Sequence, residues 1–271
     1  MTLAVVIVSY NVRELLLRCL GSLPDDLEII VVDNGSTDGS VAAVHAAYPR
    51  VQVLALTDNR GYGAANNLGV AATCADAILL LNPDTEVPSG GVEQMQQALS
   101  RAPAAGALGF RQVDQHGEWQ LTVGPPPWLS LELVRKLIQG RLDHGAVRLR
   151  RWIERWLGSQ PRPVPWVAGS CLLVRRAAYR EVAGFDEKFF LFFEDIDLCL
   201  RLRRAGYDVL YEPAVTVLHH RGKSAATEPG PAERAYRQSQ LYYWRKHRGT
   251  YVAFAVRLYQ WLGHMRRTGG A

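Results

Sequence analysis

Leu3-Ala4-Val5-Val6-Ile7-Val8-Ser9 is an unbroken apolar run, rich in β-branched residues, that ends at Tyr10-Asn11. Continuous rather than alternating apolarity marks a strand covered on both faces, as in a parallel sheet. The pattern returns at Glu28–Val32, Val51–Leu56 and Ala77–Leu81. The intervening segments read as helices: Val12–Leu23, with Leu15, Leu16, Cys19 and Leu20 on one stripe, then Val41–Tyr48 and Tyr62–Cys74. Alternating strands and helices predict an α/β fold with a doubly wound, mostly parallel sheet and helices on both faces. Ligands of such sheets bind at the carboxyl ends of the strands. The polar clusters Ser9-Tyr10-Asn11, Asp33-Asn34, Asp58-Asn59-Arg60 and Asn82-Pro83-Asp84 all fall there.

Working outward, 271 residues suit one large domain, or a domain with a helical tail. The net charge is +5, unevenly placed: eight Lys or Arg and no acid follow from Arg234 onward. Residues 135–162 are basic as well. Such segments suit an anionic surface, nucleic acid or lipid headgroups; a solvated basic face packed on the domain accounts for them equally. No charged n-region precedes Leu3–Val8, so a signal peptide is not expected. That run is too short to span a bilayer, and so is Tyr251–Leu262, which Arg257 interrupts. Cys19, Cys74, Cys171 and Cys199 show neither metal-ligand spacing nor a disulfide framework, which predicts a reducing, cytoplasmic setting.

Residues 110–165 are less regular, broken at Pro125-Pro126-Pro127 and closed by Pro161, Pro163 and Pro165. A strand is predicted at Cys171–Val174, helices at Arg176–Ala183 and Asp195–Ala205, and two further strands at Asp208–Tyr211 and Ala214–Leu218. Glu233–Arg267 reads as a helical tail with a break at Gly249.

Several signatures are excluded. Gly222-Lys223-Ser224 lacks the P-loop's first glycine, since Val217 stands five residues earlier. Gly61-Tyr62-Gly63 meets Asn66 where a dinucleotide fingerprint needs its third glycine. There is no Gly-x-Ser-x-Gly elbow. Asn82-Pro83-Asp84 offers an amide and a carboxylate directly after a buried strand, where a nucleotide diphosphate with a hard cation would lie. The tripeptide is also ordinary turn chemistry, but its position at a strand end favours the site. Asp33, followed by Gly35, Ser36, Thr37, Asp38 and Gly39, reads as an acceptor for a base or ribose, as a strand-to-helix turn, or as both.

Phe189-Phe190-Leu191-Phe192-Phe193 leads into Glu194-Asp195-Ile196-Asp197. Helix-start acids explain one of these carboxylates. Three beside an aromatic wall are costly to bury unless a metal, a cation or a reaction needs them.

In order, Ser9-Tyr10-Asn11, Asp33 to Asp38, Asn59 to Asn66, Asn82-Pro83-Asp84, Gly169-Ser170 and Glu194 to Asp197 resemble the family 2 glycosyltransferases with the GT-A fold, in their rhamnosyltransferase-like branch. The resemblance covers about residues 3–224, with Tyr242 to His247 also typical. The metal motif departs from the common Asp-x-Asp form. The resemblance implies that Tyr10 stacks on a pyrimidine and Asp33 bonds its edge, with Ser9, Asn11, Asn59, Gly61 and Asn66 in the same pocket. Asn82 would lie near the ribose or diphosphate, and Asp84 would hold a divalent cation, Mg²⁺ or Mn²⁺. Asp195 would be the general base, with Glu194 and Asp197 orienting it. Trp166, Gly169 and Ser170 would line the sugar pocket, and His219 or His220 would touch diphosphate or metal, unless both belong to a solvated turn.

The expected organisation is a GT-A domain at 1–230, with a nucleotide-binding half at 1–110, a variable insert at 111–165 and an acceptor half at 166–225, then a basic helical tail at 231–271. The expected activity is inverting transfer of a deoxyhexose such as rhamnose from a dTDP- or UDP-sugar to a glycan or lipid-linked acceptor for the cell envelope. It would proceed at the cytoplasmic face of the membrane, with the tail in peripheral contact and no nucleic acid involved. The competing readings are an inactive nucleotide-sugar binding module, a sugar nucleotidyltransferase and a nucleic-acid-binding protein. Intact Asp84 and Asp195 weigh against the first. Tyr10-Asn11-Val12-Arg13, in place of a glycine- and arginine-rich loop, weighs against the second. The absence of a recognised binding motif beside the basic tail weighs against the third.

Overall fold

A computed structural model describes residues 1–125, 137–142, 145–220 and 229–268. Pro126, Pro127, Arg135 and Lys136 of the expected insert lie outside the described residues, as do the side chains of Arg266 and Arg267.

The first half alternates as its sequence predicts. Strands β1 (Leu3–Ser9), β2 (Glu28–Asp33), β3 (Gln52–Ala55) and β4 (Ala77–Leu81) run parallel in the order β3-β2-β1-β4. Helices α1 (Arg13–Gly21), α2 (Ser40–Ala47) and α3 (Tyr62–Ala71) connect them. Alternate residues of β1 feed two separate cores. Val6 and Val8 join one with Ile30, Val32 and Tyr179, while Val5 and Ile7 join the other with Leu16, Val31 and Met95. A strand buried on both faces must be apolar at every position, which is why the run lacks alternation.

After the short β5 (Thr85–Glu86) and helix α4 (Gly91–Arg101) comes β6 (Ala105–Val113), a central strand that the sequence reading did not anticipate. Strands β7 (Val123–Gly124) and β9 (Trp166–Val167) form a two-stranded sheet, with helix α5 (Val147–Leu157) and β8 (Arg162–Pro163) between them. Strand β10 (Cys171–Arg175) enters the main sheet antiparallel to both β4 and β6, and the short β5 and β8 pair antiparallel with the last strand of that sheet. Helices α6 (Arg176–Glu181) and α7 (Glu194–Arg204) follow.

Strand β11 (Asp208–His219) is one strand where two were expected. Its pairing with β6 shifts register between Glu212 and Thr216, around Pro213. A proline cannot donate to a ladder and is tolerated at such a bulge, so the apparent gap is a kink within one strand. The tail is two helices, α8 (Pro229–Arg248) and α9 (Thr250–Thr268), broken at Gly249, whose φ is 87°.

Two pairings assemble the site. Antiparallel β10 begins at Cys171 opposite Leu81, which brings Gly169-Ser170 to the carboxyl end of β4. Strand β5 pairs with the far end of β11, Thr85 opposite His219, which brings that histidine beside Asp84.

Candidate active site

The carboxyl ends of β1 and β2 are level, Ser9 opposite Asp33, and the Asn34 N–H donates to the Ser9 carbonyl at 2.8 Å. Beyond them a cleft of about 140 Å³ is lined by Val8, Tyr10, Asn34, Asn59, Asn82 and Phe190, among others. Asp33 is buried; its Oδ2 accepts the Ser36 N–H at 2.9 Å, and its Oδ1 has no protein partner. A buried, unmatched carboxylate oxygen is costly unless a ligand supplies the donor. Ser9 Oγ and Asn66 Oδ1 are likewise buried without partners.

Asn11 has a different task. Its φ is +52°, its Oδ1 accepts the Thr37 N–H at 2.8 Å, and its own N–H donates to Ser36 Oγ at 2.9 Å. It ties the first loop to the second rather than facing the cleft. Asn59 Oδ1 accepts from Asn34 at 2.9 Å and from the Gly61 N–H at 3.0 Å. Asn34 also accepts the Arg60 N–H at 2.9 Å, so this amide network sets one wall of the cleft. Gly61 (φ +84°) lies against the backbone of Phe190, where a Cβ would collide with the Phe190 carbonyl. Tyr62 N–H donates to that same carbonyl at 2.9 Å. The aromatic loop thereby closes over the cleft.

Asp84 is buried, with Oδ1 3.4 Å from His219 Nε2. His219 Nδ1 lies 3.0 Å from Gln120 Oε1, and the Gln120 amide donates to the His219 carbonyl at 2.8 Å. His219 is therefore a buried strand-end residue beside Asp84, which removes the solvated-turn reading for it. His220 turns to Glu86, 2.7 Å away. A carboxylate and an imidazole at this strand end fit a hard cation that takes its remaining ligands from phosphate oxygens. Among the described residues no group of three or more His, Cys, Asp or Glu could hold a metal.

The two halves meet at Gly169-Ser170. The Asn82 N–H donates to the Ser170 carbonyl at 2.9 Å, and Ser170 Oγ donates to Gln112 at 2.9 Å. The Gly169 N–H donates to Asp195 Oδ2 at 3.0 Å, and Tyr62 OH donates to the Gly169 carbonyl at 2.8 Å. Asp195 Oδ1 accepts the Ile196 N–H at 2.8 Å. Adjacent Glu194 is buried, and burial, then the Asp195 charge, push its pKa well above the usual carboxylate range. Its Oε2 is buried without a partner. Two neighbouring carboxyls thus differ, with Glu194 driven toward its neutral form. The three acids do occupy the first turn of α7, but the cap is Phe193, with φ +69° and no side-chain cap bond.

Besides Asn11, two more expected site residues lie elsewhere. Asp197 does not face Asp195. It is fully buried and meets Arg201 Nε, Lys246 Nζ and His247 Nε2, each at 2.7 Å. Burial alone would raise its pKa; the His247 hydrogen bond, then Arg201 and Lys246, outweigh that and hold it at about 2. Residues two apart on a helix point in nearly opposite directions, so Asp197 turns to the tail while Asp195 turns to Gly169. Trp166 is buried in the core with its indole N–H on the Pro125 carbonyl at 3.0 Å and its ring over Gly124, away from the cleft lining. Conversely, Asn34, Tyr62, Gln112 and Gln120 act here without having been singled out. Asn34 stood inside a quoted motif, but an isolated glutamine carries no sequence signal.

Residues 4–183 match the family described as Glycosyl transferase family 2, and residues 143–269 match Glycosyl transferase family group 2. The chain belongs to glycosyl transferase family 2. It is 36% identical to the N-acetylglucosaminyl-diphospho-decaprenol L-rhamnosyltransferase of Mycobacterium tuberculosis over 96% of this chain and 86% of that protein. Its fold is similar to that of the mannosyltransferase PcManGT from Pyrobaculum calidifontis solved with GDP-Man and Mn2+ (TM-score 0.58, 16% identity, 97% of this chain and 80% of that one). It is also similar to GalNAc-T7 solved with UDP, GalNAc and Mn2+ (TM-score 0.58, 16% identity, 81% of this chain), of which it spans 44%. This family 2 enzyme is thus a nucleotide-sugar-dependent glycosyltransferase on a GT-A scaffold.

Proposed function

We propose that this glycosyltransferase moves a deoxyhexose, rhamnose first among candidates, from a dTDP- or UDP-sugar to a hydroxyl of a lipid-linked acceptor, with inversion. One observation carries the reading. Asn82 of Asn82-Pro83-Asp84 and Asp195 are each hydrogen-bonded to the same dipeptide, Gly169-Ser170. A sugar seated there would have its diphosphate toward Asp84 and its attacked face toward Asp195.

Tyr10 and the unmatched Asp33 oxygen hold the base, and the Asn34–Asn59 network shapes the cleft around ribose. Asp84 and His219 would hold a divalent cation, which when bound neutralises charge on the departing diphosphate. Asp195 takes the proton of the acceptor hydroxyl as its oxygen bonds to the anomeric carbon and the bond to the diphosphate breaks. An alcohol is a poor nucleophile near neutrality, and a positioned base contributes about 10²–10⁴-fold. Glu194, which burial and the Asp195 charge drive toward its neutral form, lowers the negative charge beside the base.

The named mycobacterial relative supports the donor sugar and the lipid-linked acceptor. No described helix is long and apolar enough to cross a membrane. The proposed contact with the membrane is peripheral, at its cytoplasmic face. In the tail, α9 supports this with Tyr251, Phe254, Leu258 and Trp261 exposed on one side. The test is transfer of radiolabelled sugar from dTDP-rhamnose, UDP-sugars and GDP-sugars to a lipid extract carrying diphosphate-linked N-acetylglucosamine. Transfer from dTDP-rhamnose with inverted product is expected. Transfer only from another donor would overturn the rhamnose assignment.

A further inference from the structure

The insert contains one surface helix, α5, whose two faces differ in kind. Ile153 and Leu157 are buried in the core and Leu149 packs against it. Glu154, the helix's acid, donates nothing to the surface charge, since it is tied to Arg111 at 2.8 Å. The outward face carries Arg148, Arg151, Trp152, Arg155 and Trp156, with no acid among them. Trp152 is 62% exposed and Trp156 58%. Four residues apart, they lie side by side on one face. Arg162 sits over the Trp156 ring at 4.8 Å and adds a further cation to that edge. Two indoles left in water among arginines make the composition of a helix that lies in a headgroup layer.

We propose that α5 is an in-plane docking helix for an anionic lipid bilayer, with Trp152 and Trp156 at the headgroup boundary and Arg148, Arg151 and Arg155 on lipid phosphates. This deepens the lipid-linked acceptor reading and rests on it for its purpose. Charge complementarity selects the bilayer over a second copy of the chain. Around a two-fold axis these arginines would face their own equivalents, whereas an anionic surface matches all of them. Of the tail's cations, Lys246 and His247 are committed inward to Asp197 and Asp186. The inner side of α5 gives the docking a use. Arg150 lines a cleft of about 330 Å³ together with Gln120, His219 and His220, and His219 touches Asp84. A bilayer seated on α5 would present a lipid-borne acceptor beside the helix that lines this cleft.

The experiment is co-sedimentation of the full chain with vesicles of phosphatidylglycerol and phosphatidylethanolamine, against phosphatidylcholine vesicles. Each arginine near an anionic surface contributes about five-fold in partition, so Arg148→Gln/Arg151→Gln/Arg155→Gln should bind the anionic vesicles roughly 100-fold more weakly. Trp152→Ser/Trp156→Ser should lose binding to the same vesicles and lose quenching of tryptophan fluorescence by brominated lipid. All these side chains face solvent, so unfolding midpoints should match the parent, as should dTDP affinity measured without vesicles. Equal sedimentation of parent and variants would overturn the proposal. So would a parent that self-associates, ignores vesicles and becomes monomeric in the variants. A chain that binds vesicles through α5 but binds no nucleotide would uphold the docking helix and count against the transferase reading alone.

Discussion

Replacing Asp197 with asparagine tests whether the tail is part of the catalytic fold. The carboxylate is fully buried and meets Arg201, Lys246 and His247 at 2.7 Å each. Its pKa falls from the ordinary 3.8 to about 2. At about 1.4 kcal/mol per unit, this corresponds to about 2.5 kcal/mol of stability at neutral pH. The amide also leaves buried cations without a counter-charge, and losing one partner of a buried pair costs about 3–5 kcal/mol. The expected loss in urea unfolding at pH 7 is therefore about 3 kcal/mol. Because the folded pKa is depressed, this contribution is complete above the unfolded value and disappears as pH falls from about 4 to 2. The gap between parent and Asp197→Asn should close across that window. A loss below about 0.5 kcal/mol at pH 7, or a gap that persists below pH 2, would refute the reasoning.

Asp195→Asn should lower kcat by about 10²–10⁴-fold while leaving dTDP-sugar affinity unchanged by calorimetry; full turnover would remove Asp195 as the base. Asp33→Asn should weaken nucleotide binding about 10-fold or more, a hydrogen bond to a charged group being lost, with little change in unfolding free energy. Gly61→Ala should destabilise the fold by about 1–3 kcal/mol and raise the donor KM, since its φ is +84° and the new Cβ meets the Phe190 carbonyl; melting temperature and KM together check it. Asp84→Ala combined with His219→Ala should abolish Mn²⁺ binding followed by electron paramagnetic resonance in the presence of dTDP; unaltered binding would place the cation elsewhere.

The parallel half was legible because burial on both faces forces one composition on every position of β1, β2 and β4, and each of these strands ends in a polar cluster. Strand β6 was missed. Its Gly106, Gly109, Arg111 and Gln112 break the apolar run that marked the others. Gly109 is needed because Val167 lies where its Cβ would stand, and Gln112 because it receives Ser170 Oγ. Both requirements come from residues far along the chain and leave no local pattern. Asp197 was misplaced for a related reason. Proximity to Asp195 in sequence suggested a shared task, but helical geometry separates them, and two of the three partners that claim Asp197, Lys246 and His247, lie some fifty residues later in α8.

Those partners change what the tail's charge means. Read along the sequence, a run of cations without acids suggests a solvent-facing surface. In the fold, Lys246 bridges Asp186 and Asp197, His247 caps Asp197, and Ser239 Oγ donates to the Leu191 carbonyl at 2.8 Å. Phe192 and Phe193, both left-handed with φ near +68° and +69°, rest on Tyr236 and Tyr243 of the same helix at ring distances of 5.4 to 5.6 Å. Such a conformation costs about 1–2 kcal/mol per non-glycine residue, and ring burial against α8 offsets it. The left-handed pair leads directly into α7, whose Asp195 accepts the Gly169 N–H. Helix α8 is thus the brace for the turn that carries Asp195, and the elements whose aromatic and basic side chains remain outside are α5 and α9.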